Sequence, residues 1–224
     1  IGGDSSGDGD FNDVTGTVTS WDICEVLDPD IVAEKMGYTA YNMGPVSQPI
    51  GSATSPNSMT CQAGIEVPAA EGDHTTTSYQ LAVAPGGDAE HVLENYEDII
   101  RFWHDGNDVP KSQDPDWDDS FFYMDEPYEG EGPWVEGQVL AVHSFAHEDG
   151  TVFAAARTEN YVVWVYVQIP SDPGIRQGQS YGLEGDELEA RRELSFVEEE
   201  LAQWVVDEYV PQVFETVSSE LSSE

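Results

Sequence analysis

The run Tyr161–Ile169, YVVWVYVQI, constrains this chain most. It is β-branched or aromatic almost throughout, it is stopped by Pro170, and its apolar residues fall on both alternating faces. A strand of that kind needs cover on both sides, so it is expected at the centre of a sheet. Two further runs lead into it. VLAVHSFAHED turns at Asp149 and Gly150 into TVFAAARTE, and a second tight turn near Glu159 and Asn160 delivers the chain to Tyr161. The three segments read as an antiparallel meander.

Upstream, DPDIVAEKMG predicts a short helix, with Asp28 as cap, Pro29 in the first turn and Gly37 closing it with a positive φ. Strand character follows at Tyr38 to Met43, at Ser58 to Val67 and at Thr75 to Ala84, the last ended by PGG. From about Asp88, Val92, Tyr96, Ile99 and Trp103 recur at helical spacing and define one apolar face. A long C-terminal amphipathic helix is expected from about Gly185, interrupted near Pro211. The order of helix, three strands, helix, three strands and helix predicts an α+β fold, an antiparallel sheet with helices packed on it.

Charge sets the environment. Asp and Glu number 45 against 7 Lys and Arg in 224 residues, a formal charge of -38. The acids recur in every segment, and no Lys or Arg occurs between Lys35 and Arg101. Such a surface repels itself in dilute buffer and is relieved by salt, which suits concentrated brine. It excludes nucleic acid and anionic membrane surfaces as partners and leaves cationic ones open. With 39% hydrophobic residues and six Trp, the chain has material for a core despite its charge. Residues 1–20, opening with IGGDSSGDGDFND, read as a flexible acidic tether, and 21–224 as a single domain. No stretch has the apolar length of a membrane span.

Cys24 and Cys61 are the whole thiol inventory, and neither has a CxxC or His partner at ligand spacing. An even pair in an oxidising compartment predicts a disulfide that pins the first helix to a strand. Asp22-x-Cys24-x-x-Leu27-x-Pro29 opening a helix, a second cysteine on a later strand, a glycine-turned strand pair and a terminal amphipathic helix together resemble the small secreted lipoproteins of actinobacteria, whose function is unassigned. The acidity and the tether equally suit a haloarchaeal lipoprotein. The resemblance implies an extracytoplasmic, lipid-anchored location at the cell surface, with the anchor outside this chain, and no particular reaction.

Catalytic signatures fail on context. Gly178-Gln179-Ser180-Tyr181-Gly182 matches G-x-S-x-G, but PSDPGIRQ precedes it instead of a strand, and no histidine follows His147. It is read as a glycine-rich loop. His143 and His147 share a strand face about 13 Å apart, too far for one ion. Asp114, Asp116 and Asp118 alternate as in a calcium loop and are the only metal candidates, yet Asp119 stands where such a loop needs glycine. No cofactor is expected.

The remaining concentration is the acidic, aromatic-rich stretch 104–137, read as a long loop packed on the domain. Its Trp117, Phe122, Tyr123, Tyr128 and Trp134 amid carboxylates are the expected ligand residues, since aromatic faces and acids together favour cations. The expected function is thus a salt-adapted, extracytoplasmic binding or interaction module without catalytic activity, its partner a cationic small molecule or a cell-envelope protein. The alternative is a carrier, or an enzyme of unrecognised type, for a small cationic solute or cell-envelope component.

Overall fold

A computed structural model of the chain describes residues 8–52, 56–69, 73–106, 122–130, 132–143 and 149–222. Seven strands form one antiparallel sheet: β1 Ala40–Gln48, β2 Met59–Pro68, β3 His74–Pro85, β4 Phe122–Pro127, β5 Glu136–Val142, β6 Gly150–Arg157 and β7 Tyr161–Ile169. Their order is β1-β2-β3-β7-β6-β5-β4. One meander runs inward from β1 to β3, the chain crosses through α4 (Ala89–Gly106) to the far edge, and a second meander runs back from β4 to β7. The two join where β7 pairs antiparallel with β3.

β7 is therefore central, and both its faces are used. Val163, Val165, Val167 and Ile169 enter the larger core, while Val162 and Trp164 enter a smaller one. The larger core lies under α1 (Asp8–Ser20), α2 (Ile23–Leu27), α3 (Asp30–Lys35) and the C-terminal helix. Among the described residues α4 covers the other face, packing on β6, β7 and β3. This α+β arrangement agrees with the sequence, and so does the disulfide, which ties Cys24 of α2 to Cys61 of β2 with their Cα atoms 4.9 Å apart.

Several elements differ from expectation. Part of the expected tether, Asp8–Ser20, is helix α1, and Val18 is fully buried in the larger core. Asp28 does not N-cap the helix that follows it: it is the C-cap of α2 in a left-handed conformation (φ 40°), Pro29 stands at the N-cap of α3, and the side-chain cap is made at α2, where Asp22 accepts the Cys24 N–H. Gly37 ends α3 with φ 67°, as its lack of a Cβ permits. The stretch 104–137 contributes a fourth strand to the second meander, β4, whose Asp125 and Glu126 fit the open edge it occupies.

The segment expected as a glycine-rich loop is a helix, α5 (Pro173–Ser180), capped by Asp172 with the Ile175 N–H at 2.9 Å. The second oxygen of Asp172 accepts the N–H groups of Glu193 (2.9 Å) and Leu194 (2.8 Å). Those amides are thereby withdrawn from helix formation. The expected C-terminal helix breaks there: α6 is only Gly185–Glu189, and the long helix starts at Glu198. It runs as α7 (Glu198–Trp204), a π-helical turn Val205–Tyr209 and α8 (Val210–Ser222). Pro211 has no N–H to give the preceding turn, and the helix widens just ahead of it, with the Val210 N–H bonded to the Val205 carbonyl.

Candidate functional site

α4 leaves part of its sheet face uncovered. On β2 and β3, Cys61, Ala63, Tyr79, Leu81 and Val83 point into the larger core, so Gln62, Gln80, Ala82 and Ala84 face the α4 side. Gln62 and Gln80 are direct cross-strand partners. Where α4 turns away from them a cleft of about 630 Å³ opens. Gln62, Gln80 and Ala84 line it from the sheet, Trp164 from β7, and Asn95, Asp98, Ile99, Phe102 and Trp103 from α4. Pro56, Asn57 and Ser58 complete the lining.

The helix builds its wall by periodicity. Val92, Tyr96, Ile99 and Trp103 form the stripe that meets the sheet, and Asn95, Asp98 and Phe102 form the adjacent stripe at the same spacing. Trp103 is fixed by stacking on Tyr166, with ring centroids 4.2 Å apart, and on Phe153 at 5.2 Å. Trp164 sits between two small cross-strand partners, Ala82 and Ala155, and its indole N–H is buried without a hydrogen-bond partner among the described residues. Phe102 is 66% exposed at the cleft.

The polar groups of the cleft are mostly neutral. The Asn57 Nδ2 donates to Asn95 Oδ1 at 3.3 Å, joining the 56–58 segment to α4. Gln62 and Gln80 are half-buried, and among the described residues no hydrogen bond engages either carboxamide. The one carboxylate among the described lining residues, Asp98, is paired with Arg101 on the same helix. Sequence reasoning missed this site because its glutamines sit inside ordinary-looking strands. The available signal was Phe102, an aromatic off the apolar stripe of an amphipathic helix.

Of the aromatic residues expected to bind a cation, the three whose side chains are described, Tyr123, Tyr128 and Trp134, do not form one cage. Tyr128 meets Phe214 of α8 edge-on with centroids 5.4 Å apart, and Trp134 lies 4.3 Å from the same ring. Their polar tips, Tyr128 Oη and Trp134 Nε1, are buried without partners among the described residues, beneath the backbone of Gly130 and Gly132, where an added Cβ would fall 2.0 Å from each. Tyr123 is held elsewhere, stacked on His143 at 4.2 Å. Burial pushes the Tyr123 hydroxyl up, and Glu198 and Glu199 push in the same direction. The His143 Nδ1 lies 3.3 Å from Glu198 and 3.8 Å from Glu199. Trp117, the Phe122 side chain, Asp114, Asp116, Asp118 and His147 lie outside the described residues.

Beside the π-helical turn, Glu126, Glu129 and Asp207 surround a second recess of about 430 Å³ that includes Tyr128. Ser180, the serine of the G-x-S-x-G match, is exposed and donates to the Gln177 carbonyl at 2.7 Å, the ordinary bond of a helix-end hydroxyl. No protein-family profile, curated protein or solved structure matches this chain.

Proposed function

We propose that this chain is a salt-adapted, extracytoplasmic binding module of the cell-surface lipoprotein type, without catalytic activity, and that its ligand site is the cleft between α4 and the β2–β3 face. One observation carries the reading. In a chain with 45 carboxylates, the described residues of the cleft present an aromatic wall and four carboxamides but only one acid. A concave, largely preformed surface with a few convergent polar groups is the usual form of a small-ligand site. The Cys24–Cys61 disulfide supports an oxidising compartment.

Amide chemical-shift mapping in molar potassium chloride, with acetamide, phenol and glycerol as probes, tests the location. Shifts should cluster on β2, β3 and α4, and Gln80→Trp, which lays an indole across the floor, should abolish them. Shifts that survive this substitution, or that fall elsewhere, overturn the assignment.

A second reading, a carrier for a small cationic solute or cell-envelope component, is favoured by the recess where Glu126, Glu129 and Asp207 stand beside Tyr128. Choline titration separates the two. Shifts at Tyr128 and Asp207 that vanish in Asp207→Asn support the carrier, and their absence removes it.

A further inference from the structure

We infer that the cleft binds a neutral carbohydrate, held by the carboxamides of Gln62, Gln80, Asn57 and Asn95, with a sugar ring laid against the aromatic wall. This rests on the cleft being the ligand site, and it names the class of ligand.

Carboxylates are scarce among the described residues of the cleft. Acids outnumber carboxamides 45 to 16 in the whole chain, yet among the described residues that line the cleft the ratio is one against four. Its single acid, Asp98, already has Arg101 as counter-ion. A cationic ligand would be served by carboxylates, which this chain supplies everywhere else. An anionic ligand, nucleotides included, is opposed by the net charge of -38.

Neutral recognition also suits the medium. At molar salt the Debye length falls to about 3 Å, so selectivity by charge is largely screened, while hydrogen bonding and apolar contact persist. A carboxamide offers two N–H donors and an acceptor oxygen. A sugar hydroxyl likewise gives and takes, so four carboxamides match a polyol without leaving a buried group unpaired. Asn57 and Asn95 spend only one donor and one acceptor on each other and keep capacity for a ligand.

The aromatic wall supplies the rest. A π-face carries negative potential and attracts the polarised C–H groups on the flat face of a pyranose ring. Phe102, two-thirds exposed, lines the cleft and offers such a ring. A purely apolar ligand would leave the four carboxamides unsatisfied. A peptide adding as a strand needs free backbone groups, and β2 and β3 already use theirs, pairing with each other and with β1 and β7. The volume of about 630 Å³ accommodates a short oligosaccharide.

The test is calorimetric titration of the intact protein in molar potassium chloride with uncharged gluco-, xylo-, manno- and chito-oligosaccharides, alongside an oligogalacturonate and choline. At least one neutral series should bind, and neither charged probe should occupy the cleft. Phe102→Ala, at an exposed position, and Gln62→Ala with Gln80→Ala should each weaken that binding about tenfold or more, a loss of about 1.4 kcal/mol, with an unchanged melting temperature. Neutral binding that ignores both variants overturns the inference. If no oligosaccharide binds while acetamide and phenol still shift the cleft amides, the carbohydrate assignment falls and the cleft stands. If none of the probes reaches the cleft, both fall.

Discussion

Removing the disulfide by Cys24→Ala with Cys61→Ala should cost about 4 kcal/mol. The bond spans 37 residues of sequence, a loop that holds α3 and β1. Closing a loop of that length removes about 13 cal/mol/K of entropy from the unfolded chain, hence about 4 kcal/mol at 25 °C. The native side of the balance should change little. Ile23, Leu27, Val32, Ala33 and Met36 remain buried whether or not the sulfurs are joined, and the Tyr79 hydroxyl still donates to the Pro29 carbonyl at 2.7 Å. Alanine at position 61, which is fully buried, leaves no unpaired hydroxyl as serine would. The loss is thus expected in the unfolded state, with a larger dependence on denaturant because the opened chain exposes more surface. Urea unfolding followed by tryptophan fluorescence in molar potassium chloride measures both quantities at constant ionic strength. A loss below about 1 kcal/mol with an unchanged slope would refute the loop-closure argument.

Three further predictions concern the fold. The melting temperature should rise steadily from low to molar potassium chloride, since screening relieves the repulsion among 45 acids; a flat profile contradicts the brine adaptation. Gly174→Ala would place a Cβ 1.7 Å from the rigid Arg191 carbonyl oxygen and should cost about 3 kcal/mol, whereas Gly178→Ala meets only the movable end of Leu188 at 2.7 Å and should cost clearly less by chemical denaturation. Equal losses would mean that α5 does not pack closely on the 185–193 segment. At high pH, burial raises Tyr79, Tyr123 and Tyr209, and holds Tyr96 and Tyr166 at about 12. Unfolded tyrosines ionise near pH 10, so their contribution is complete below about 10 and is lost as the pH rises towards 12. Tyrosinate absorbance should therefore appear together with loss of ellipticity; independent titration near pH 10 would contradict this.

Patterns of one or two turns were legible, and competition between distant segments was not. The central position of β7 follows from its two-sided apolar run, and α4 from its stripe of Val92, Tyr96, Ile99 and Trp103. β4 escaped notice because an edge strand needs only one neighbour, and Asp125 and Glu126 broke the expected alternation. α1 was hidden by its Gly, Asp and Thr content: its place comes from burying Val18, not from helix propensity. The break before Glu198 depends on Asp172 reaching Glu193 and Leu194 across 21 and 22 residues. No local window contains that contact. The surroundings of the expected ligand residues were hidden for a related reason. Tyr128 and Trp134 stand out among acids in the sequence, yet Phe214, far along the chain, draws both inward. Gln62 and Gln80 become a pair only through the β2–β3 register.

The central claim is that charge here serves solvation while a neutral cleft performs recognition. Amide-shift mapping of the intact protein in molar potassium chloride, titrated with the uncharged oligosaccharides, addresses it most directly. The account predicts saturable shifts centred on Gln62, Gln80, Asn95 and Phe102, with an affinity that barely changes as the salt is lowered within the range where the protein stays folded. Shifts centred on Tyr128 and Asp207, or an affinity that climbs steeply as salt is withdrawn, would contradict it.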